Sequence, residues 1–233
     1  MVIIIPAAGH GSRFVAAGYT VPKPLIHARG IPMILRVANM LPAESKILVP
    51  CRETIAQKIK NFGFEPVAYP ITPNGTALSV LGAGIGRIAD NEDVLIVNSD
   101  NIFSQWAIED FVKAARESRQ EGSILGFVVD GGPWSYMKLG VFGNVVKVAE
   151  KQKISNVATA GAYYFKKWGN LKDAICSMVA TGDTTNGEYY LAPVYNYLLG
   201  RVYGSEVSSY LIPASDFIPL GTPEDLEKYN AAR

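Results

Sequence analysis

Gly9, Gly11, Ser12, Arg13 and Lys23 could do phosphate chemistry together. They follow the apolar run Ile3-Ile4-Ile5 through Pro6-Ala7-Ala8. Glycines let backbone amides approach an anion closely, and no side chain obstructs the hydrogen bonds those amides donate. Arg13 adds a planar fork of donors and Lys23 a point charge. Lys23 stands between Pro22 and Pro24, so its backbone has little freedom and ordering it against a ligand costs little entropy. A nucleoside triphosphate is the ligand that such a set suits. Two common nucleotide loops are excluded: GxGxxG would need glycine where Phe14 stands, and a P-loop needs GxxxxGKS or GxxxxGKT, which the chain lacks.

Three later segments carry further candidates. Asn98-Ser99-Asp100-Asn101 follows an apolar run, and Asp100 suits Mg2+, which prefers oxygen and takes one or two carboxylates along with substrate phosphates. The alternative is an aspartate that caps the following turn. Asn74-Gly75-Thr76 could hold a base through its backbone, with Gly75 permitting close approach; ordinary turn chemistry before a helix is the alternative. Glu150-Lys151 reads either as a solvated pair or as a pair facing a phosphorylated substrate. His10 is expected exposed at the loop tip, His27 receives no role, and Tyr163-Tyr164-Phe165 after Gly161 are expected in the core.

The elements that must position these residues follow from periodicity. Val2–Ile5, Lys46–Val49, Pro66–Tyr69, Asp93–Val97 and Ser123–Val129 read as buried strands. Between them lie predicted helices over Ile34–Met40, Glu53–Phe62 (stopped by Gly63), Thr76–Ile88 and Ala107–Glu121. This alternation predicts a mostly parallel sheet with helices on both faces, and ligands in such sheets bind beyond the carboxyl ends of the strands. The loops at Gly9, Asn74 and Asn98 should therefore gather on one edge. The remainder predicts an antiparallel hairpin (Met137–Phe142 and Val145–Glu150), strands over Ala160–Phe165 and Val207–Ile212, and helices over Leu171–Ala180, Glu188–Leu199 and Thr222–Tyr229.

Composition excludes several classes of protein. The chain has 233 residues, 48% apolar and 18% charged, enough for a sizeable core and too apolar for disorder. A formal charge of +1 gives no whole-face field for nucleic acid or an anionic membrane. No stretch approaches the roughly 20 apolar residues that span a bilayer. Met1–Ile5 lacks the basic flank of a signal peptide, and Pro6 interrupts it early. Cys51 and Cys176 stand in no paired spacing and are expected as buried free thiols. A soluble, cytoplasmic protein is the expectation.

Gly9-x-Gly11-Ser12-Arg13 followed by Pro22-Lys23-Pro24-Leu25 resembles the signature of sugar-phosphate nucleotidylyltransferases. The likeness continues in order through Pro73-Asn74-Gly75-Thr76-Ala77, Ser99-Asp100-Asn101-Ile102-Phe103, Glu150-Lys151 and Ala160-Gly161-Ala162, then Gly187-Glu188 and Gly221-Thr222-Pro223-Glu224-Asp225. Ala17-Gly18-Tyr19-Thr20 and Glu188-Tyr189-Tyr190-Leu191 are similar to a branch found among bacterial capsule and surface-glycan proteins. The resemblance implies an α/β fold, a three-layer α/β/α sandwich on a mostly parallel, Rossmann-like mixed sheet. It implies one domain over residues 1–233, with 1–130 binding nucleotide and 131–233 binding the acceptor. The implied activity is transfer of a nucleoside monophosphate from a triphosphate to a sugar phosphate or similar phosphorylated acceptor, releasing pyrophosphate, for surface polysaccharide synthesis.

By the same resemblance, Ala8, Gly9, Gly11, Ser12, Arg13, Lys23, Asn74, Gly75 and Asp100 bind the nucleotide, Arg13 and Lys23 being catalytic. Glu150, Lys151, Gly161 and Glu188 meet the acceptor, and Asp100 holds Mg2+. The implied partners are a nucleoside triphosphate and a small phosphorylated acceptor, with no nucleic acid or membrane, and assembly of copies stays open. Three positions depart from the family pattern. Pro219 stands where a second metal aspartate is usual, with Asp216 nearby; Gln152 replaces the proline of Glu-Lys-Pro; Pro70 lies where some members carry a base-reading glutamine. The base and the acceptor are left open. Two other readings also stay open: a nucleotide-sugar-dependent glycosyltransferase, which usually carries Asp-x-Asp where this chain has Asn98-Ser99-Asp100, and a nucleotide-binding module without catalysis, suggested by Pro219.

Overall fold

Alternate residues of an extended chain face opposite sides of a sheet, so strands that are apolar throughout need cover on both. Ile3, Ile5, Leu95 and Val97 enter one core, while Val2, Ile4, Val94 and Ile96 enter another on the far side. The computed structural model describes residues 1–42, 45–199 and 206–232. In chain order the elements begin β1 (Val2–Ile4), α1 (Ser12–Ala16), β2 (His27–Ala28), β3 (Ile31–Pro32) and α2 (Met33–Ala38). They continue with β4 (Lys46–Arg52), α3 (Glu53–Asn61), β5 (Glu65–Tyr69), α4 (Thr76–Gly84), β6 (Val94–Val97), β7 (Asn101–Phe103) and α5 (Gln105–Glu117). The rest are β8 (Gly122–Val128), β9 (Ser135–Leu139), β10 (Asn144–Glu150), β11 (Val157–Phe165), α6 (Trp168–Thr181), β12 (Val207–Ile212), β13 (Phe217–Pro219) and α7 (Pro223–Ala231).

Among the described residues, nine strands form one mixed sheet in the order β5-β4-β1-β6-β11-β8-β12-β10-β9. From β5 to β6 every neighbour is parallel. β11 then runs antiparallel between β6 and β8, and the expected hairpin of β9 and β10 closes the far edge. Helices α2, α3 and α5 cover one face; α4 and α6 cover the other, with a 3-10 turn at Ala192–Tyr197. The chain is thus an α/β sandwich of three layers.

A third, smaller core joins Phe14, Ile26, Ala28 and Met33 to Leu220, Leu226 and Tyr229. It joins the segment from α1 to α2 to the segment that carries α7. The buried Phe14 ring holds the first loop down and meets Tyr19 edge-on at 5.2 Å.

Some expected elements differ. Glu188–Leu199 is not a helix; only Ala192–Tyr197 turns, as 3-10. Its first residues are bonded otherwise: Thr185 and Glu188 exchange backbone bonds in a tight turn, and Tyr189 accepts from the distant Ala77 amide at 3.0 Å. Pro193 has no amide to continue a helical ladder. Helix α4 stops at Gly84, short of Ile88, because Ile85 turns extended and Gly86 takes φ 72°. Cys51 is buried, which pushes its thiol up to about 11, but Cys176 is exposed. The pairings β2–β3 and β7–β13 are too short to leave a periodic trace in sequence.

Candidate active site

Strands β1 and β6 run directly into the Gly9 loop and the Asn98–Asn101 segment, and both segments line one cleft of about 1170 Å³. The Asn74-Gly75 turn lines it too, so the three loops gather on one edge as expected. Ala8 is buried at the loop's base; Gly9, Ser12 and Arg13 are exposed on its rim. A Cβ on Gly9 would meet nothing within 4 Å, leaving its backbone open toward the cleft. Gly11 has a different duty. It sits at φ 64° as the N-cap of α1, and a Cβ there would lie 3.0 Å from the Lys23 Cβ. Any larger residue would strain the turn and press on Lys23.

Lys23 begins a 3-10 turn and reaches across the cleft, its Nζ 2.5 Å from Asp100 Oδ2. Both side chains are about four-fifths shielded from solvent. Asp100 is fixed by its own backbone, whose carbonyl accepts the Leu220 amide at 2.7 Å. Asn101 pairs with Pro219 in the β7–β13 ladder, which puts Pro219 in the cleft beside Asp100 with no side-chain ligand to offer. Asp216 does not take over that role. It accepts hydrogen bonds from Ser104 Oγ and, at 3.3 Å, from Trp106 Nε1, and it does not line the cleft.

Among the described residues, no group of three or more histidine, cysteine or acidic side chains is placed to hold a metal. A single carboxylate such as Asp100 still fits Mg2+, which commonly takes one or two carboxylates and completes its shell with water and substrate phosphates.

Gly75 lines the cleft and also takes protein backbone at close range. At φ 97°, a Cβ there would lie 2.3 Å from the Tyr189 carbonyl oxygen, so glycine is required for the Tyr189 backbone to dock. Asn74 donates its side-chain amide to the Gly187 carbonyl at 2.9 Å. The pair therefore ties the turn after β5 to the segment carrying Glu188, while still lining the cavity.

The far wall is built by β9, β10 and β11. Glu150 lies opposite Ser135, whose hydroxyl donates to it. Burial pushes the Glu150 carboxyl above its usual range; the serine bond and Lys151 oppose this, and Glu188 adds to it. Lys151 takes φ 55°, and its Nζ lies 2.5 Å from Tyr190 Oη and 4.3 Å from the centre of that ring. Gly161, at φ 76° where the β11–β8 register shifts, lets Asn98 and Asn101 pack against β11. Glu188 is exposed on the rim.

All thirteen residues singled out from sequence line this one cleft. Sequence reading missed Trp134, Ser135, Tyr190 and the Thr159–Tyr163 pair, which line it as well. Tyr163 was expected in the core, and it is buried there with one side on the cavity. For Trp134 the available signal was its setting, a tryptophan directly after Gly131-Gly132-Pro133. Asp225 also lines the cleft while capping α7, its amide donating to Thr222 Oγ1 at 3.1 Å.

Residues 3–160 match the MobA-like NTP transferase domain family. The bifunctional protein GlmU of Synechococcus sp. (strain CC9311) is 26% identical over 211 residues, covering 85% of this chain and 45% of that protein. The chain therefore spans about half the length of that relative. A solved structure described as the nucleoside-diphosphate-sugar pyrophosphorylase from Vibrio cholerae RC9 superposes with a TM-score of 0.84. It is 24% identical, with both chains covered in full, and at that identity the likeness is one of fold.

Proposed function

Because the chain belongs to the MobA-like NTP transferase domain family, and so is of nucleotidyltransferase type, we propose that it transfers a nucleoside monophosphate from a triphosphate to a phosphorylated small acceptor, a sugar phosphate in the first instance. The carrying observation is the meeting of Lys23 with Asp100 at 2.5 Å beneath an open glycine loop. A cation and a carboxylate brought from distant parts of the chain into a partly shielded cleft suit a reaction run by positioning and charge.

In this reading the triphosphate lies along Ala8, Gly9, Gly11 and Ser12, with its base toward Asn74 and Gly75. An oxygen of the acceptor phosphate attacks the α-phosphorus. A new P–O bond forms as the bond to pyrophosphate breaks, and pyrophosphate departs with the electron pair. Arg13, which makes no ion pair among the described residues, is free to follow the departing charge. Lys23 moves from Asp100 to the reacting phosphates. Mg2+ on Asp100, when bound, neutralises phosphate charge and helps hold the reactants in line. Glu150, Lys151, Gly161 and Glu188 face the acceptor. Residues 1–130 thus serve mainly the nucleotide and 131–233 mainly the acceptor, within one domain. A cytoplasmic role in supplying surface polysaccharide synthesis is the setting we favour; among the described residues no helix is long and apolar enough to cross a membrane.

The test is pyrophosphate release with Mg2+, each of the common triphosphates and a panel of phosphorylated acceptors. Release that depends on one triphosphate and one acceptor class, and that is lost in Lys23→Ala, supports transfer. Pro219 beside Asp100 favours a second reading, a nucleotide-binding module without turnover. Tight triphosphate binding with no release across a broad panel would select that reading.

A further inference from the structure

Residues 185–190 form a strap that is fastened at two distant parts of the cleft lining. One fastening is the turn after β5. Asn74 donates its side-chain amide to the Gly187 carbonyl at 2.9 Å, and its own carbonyl accepts the Tyr189 amide at 3.3 Å. The Ala77 amide donates to the Tyr189 carbonyl at 3.0 Å, and Gly75 leaves room for that backbone. The other fastening is Lys151, directly after β10. Its ammonium donates to Tyr190 Oη at 2.5 Å and lies 4.3 Å from the ring centre, and that hydroxyl bonds Glu188 in turn. Strands β5 and β10 stand toward opposite ends of the sheet order, so no ladder joins them. The strap does.

The fastenings hold backbone in a sparsely populated region. Among the described residues three non-glycine residues take positive φ, and two of them are here: Asn186 at 51° and Lys151 at 55°. Asparagine tolerates that region; lysine adopts it rarely, and such residues persist where surrounding bonds determine them. At Lys151 those bonds are the contacts to Tyr190 and its own amide to the Trp134 carbonyl at 3.0 Å. Asn186 and Glu188 line the cleft from the strap, and Asn186 has no side-chain partner among the described residues. Asn74, Asn186, Gly187 and Glu188 are all exposed. A segment held by a few exposed bonds lies at the low end of local stability, where a ligand can order it.

We infer that the strap couples the two sides of the cleft. A triphosphate seated against the Asn74-Gly75 turn orders residues 185–190 through Asn74, and that order passes through Tyr190 to Lys151 on the acceptor side. Asn74 and Tyr190 are thereby positioning residues. This rests on the nucleotidyl-transfer reading above for the seat of the base at the turn. The bonds at Asn74 are the differential contact that such coupling needs. Coupling is reciprocal, so a bound acceptor tightens the triphosphate by the same factor.

The experiment is hydrogen exchange on the full chain, read by mass spectrometry. The protein is compared free and loaded with Mg2+ and the α,β-methylene analogues of the common triphosphates, which block transfer; calorimetry fixes the occupancy. Exchange at 185–190 and at the Lys151 amide should slow at least about fivefold on binding. At equal occupancy, Asn74→Ala should lose most of the slowing at both places. Tyr190→Leu removes hydroxyl and ring together; slowing at 185–190 should stay, and slowing at Lys151 should go. A merely structural role would speed exchange in the free and loaded proteins alike and leave the ligand-dependent difference as it was. A bound triphosphate that leaves 185–190 unchanged overturns the inference. So does slowing at 185–190 that survives Asn74→Ala, or slowing at Lys151 that survives Tyr190→Leu. If Asn74→Ala binds too weakly to compare, the parent and Tyr190→Leu decide. If no triphosphate binds the parent, the nucleotide reading falls and the coupling with it; binding without coupling removes the coupling alone.

Discussion

Gly161 and Asn101 are packed so closely that a Cβ on the glycine would lie 2.0 Å from the asparagine side-chain nitrogen. That contact fixes how β11, which enters the sheet late in the chain, meets the segment carrying Asp100. Gly161→Ala should destabilise the protein by about 2–3 kcal/mol, from strain at φ 76° and from overpacking. Urea unfolding measures it. Asn101→Ala in the same chain should recover part of the loss by removing the collision, and a double variant no better than Gly161→Ala alone would refute the packing explanation.

Lys23 and Asp100 pair in the cleft, outside the three apolar cores, so a variant of either should still fold. Lys23→Ala should lower transfer by about 10²–10³, the scale of losing one preorganised charge-stabilising group. Asp100→Ala should abolish Mg2+-dependent turnover and the added thermal stability that Mg2+ and triphosphate together confer. An Asp100→Ala protein with full Mg2+-dependent activity would remove aspartate from the metal assignment.

The glutamate at position 150 should register in the pH dependence of stability. Its carboxyl is raised, chiefly by burial, so the folded state holds the proton more tightly than the unfolded state does. The sign follows: its contribution favours folding below the ordinary carboxylate range and turns unfavourable as pH climbs from there through the raised value. Glu150→Gln should therefore gain stability relative to the parent at neutral pH and lose that advantage in acid. Melting temperatures of both proteins across pH decide this; a difference that does not vary with pH would contradict it.

Arg29 clasps the C-terminal helix to the hairpin that follows Lys23. Its guanidinium lies 4.2 Å from the Tyr229 ring centre and donates to the carbonyls of Tyr229 at 2.9 Å and Ala232 at 2.6 Å. Arg29→Ala should cost about 1–2 kcal/mol, with faster hydrogen exchange across Pro223–Ala231. Unaltered exchange there would show that the small core around Leu226 holds α7 without the clasp.

The local parts of the design were legible in the sequence. Unbroken apolar runs such as Ile3-Ile4-Ile5 mark strands buried on both faces, and strand-helix alternation makes the layered α/β fold follow. Because ligands in such sheets lie beyond the strand ends, the sequence alone places the Gly9, Asn74 and Asn98 loops on one edge. The proline-framed lysine and the two loop glycines stood out for the same reason: their chemistry is written within a few adjacent residues.

The tertiary structure alone decided what depends on contacts between distant segments. It brought Lys23 to Asp100, set Pro219 beside Asn101, and inserted β11 between β6 and β8. It also seated the Tyr189 backbone against Gly75, and replaced the expected helix from Glu188 with a tight Thr185–Glu188 turn and a bond from the Ala77 amide to the Tyr189 carbonyl. None of these leaves a periodic trace, because periodicity reports which face of one element is buried and not which partner covers it. The far wall of the cleft belongs to this second class. Trp134, Glu150 and Tyr190 lie far apart in the chain, and only the folding of β9 onto β10 with the Tyr190 segment alongside makes them one surface.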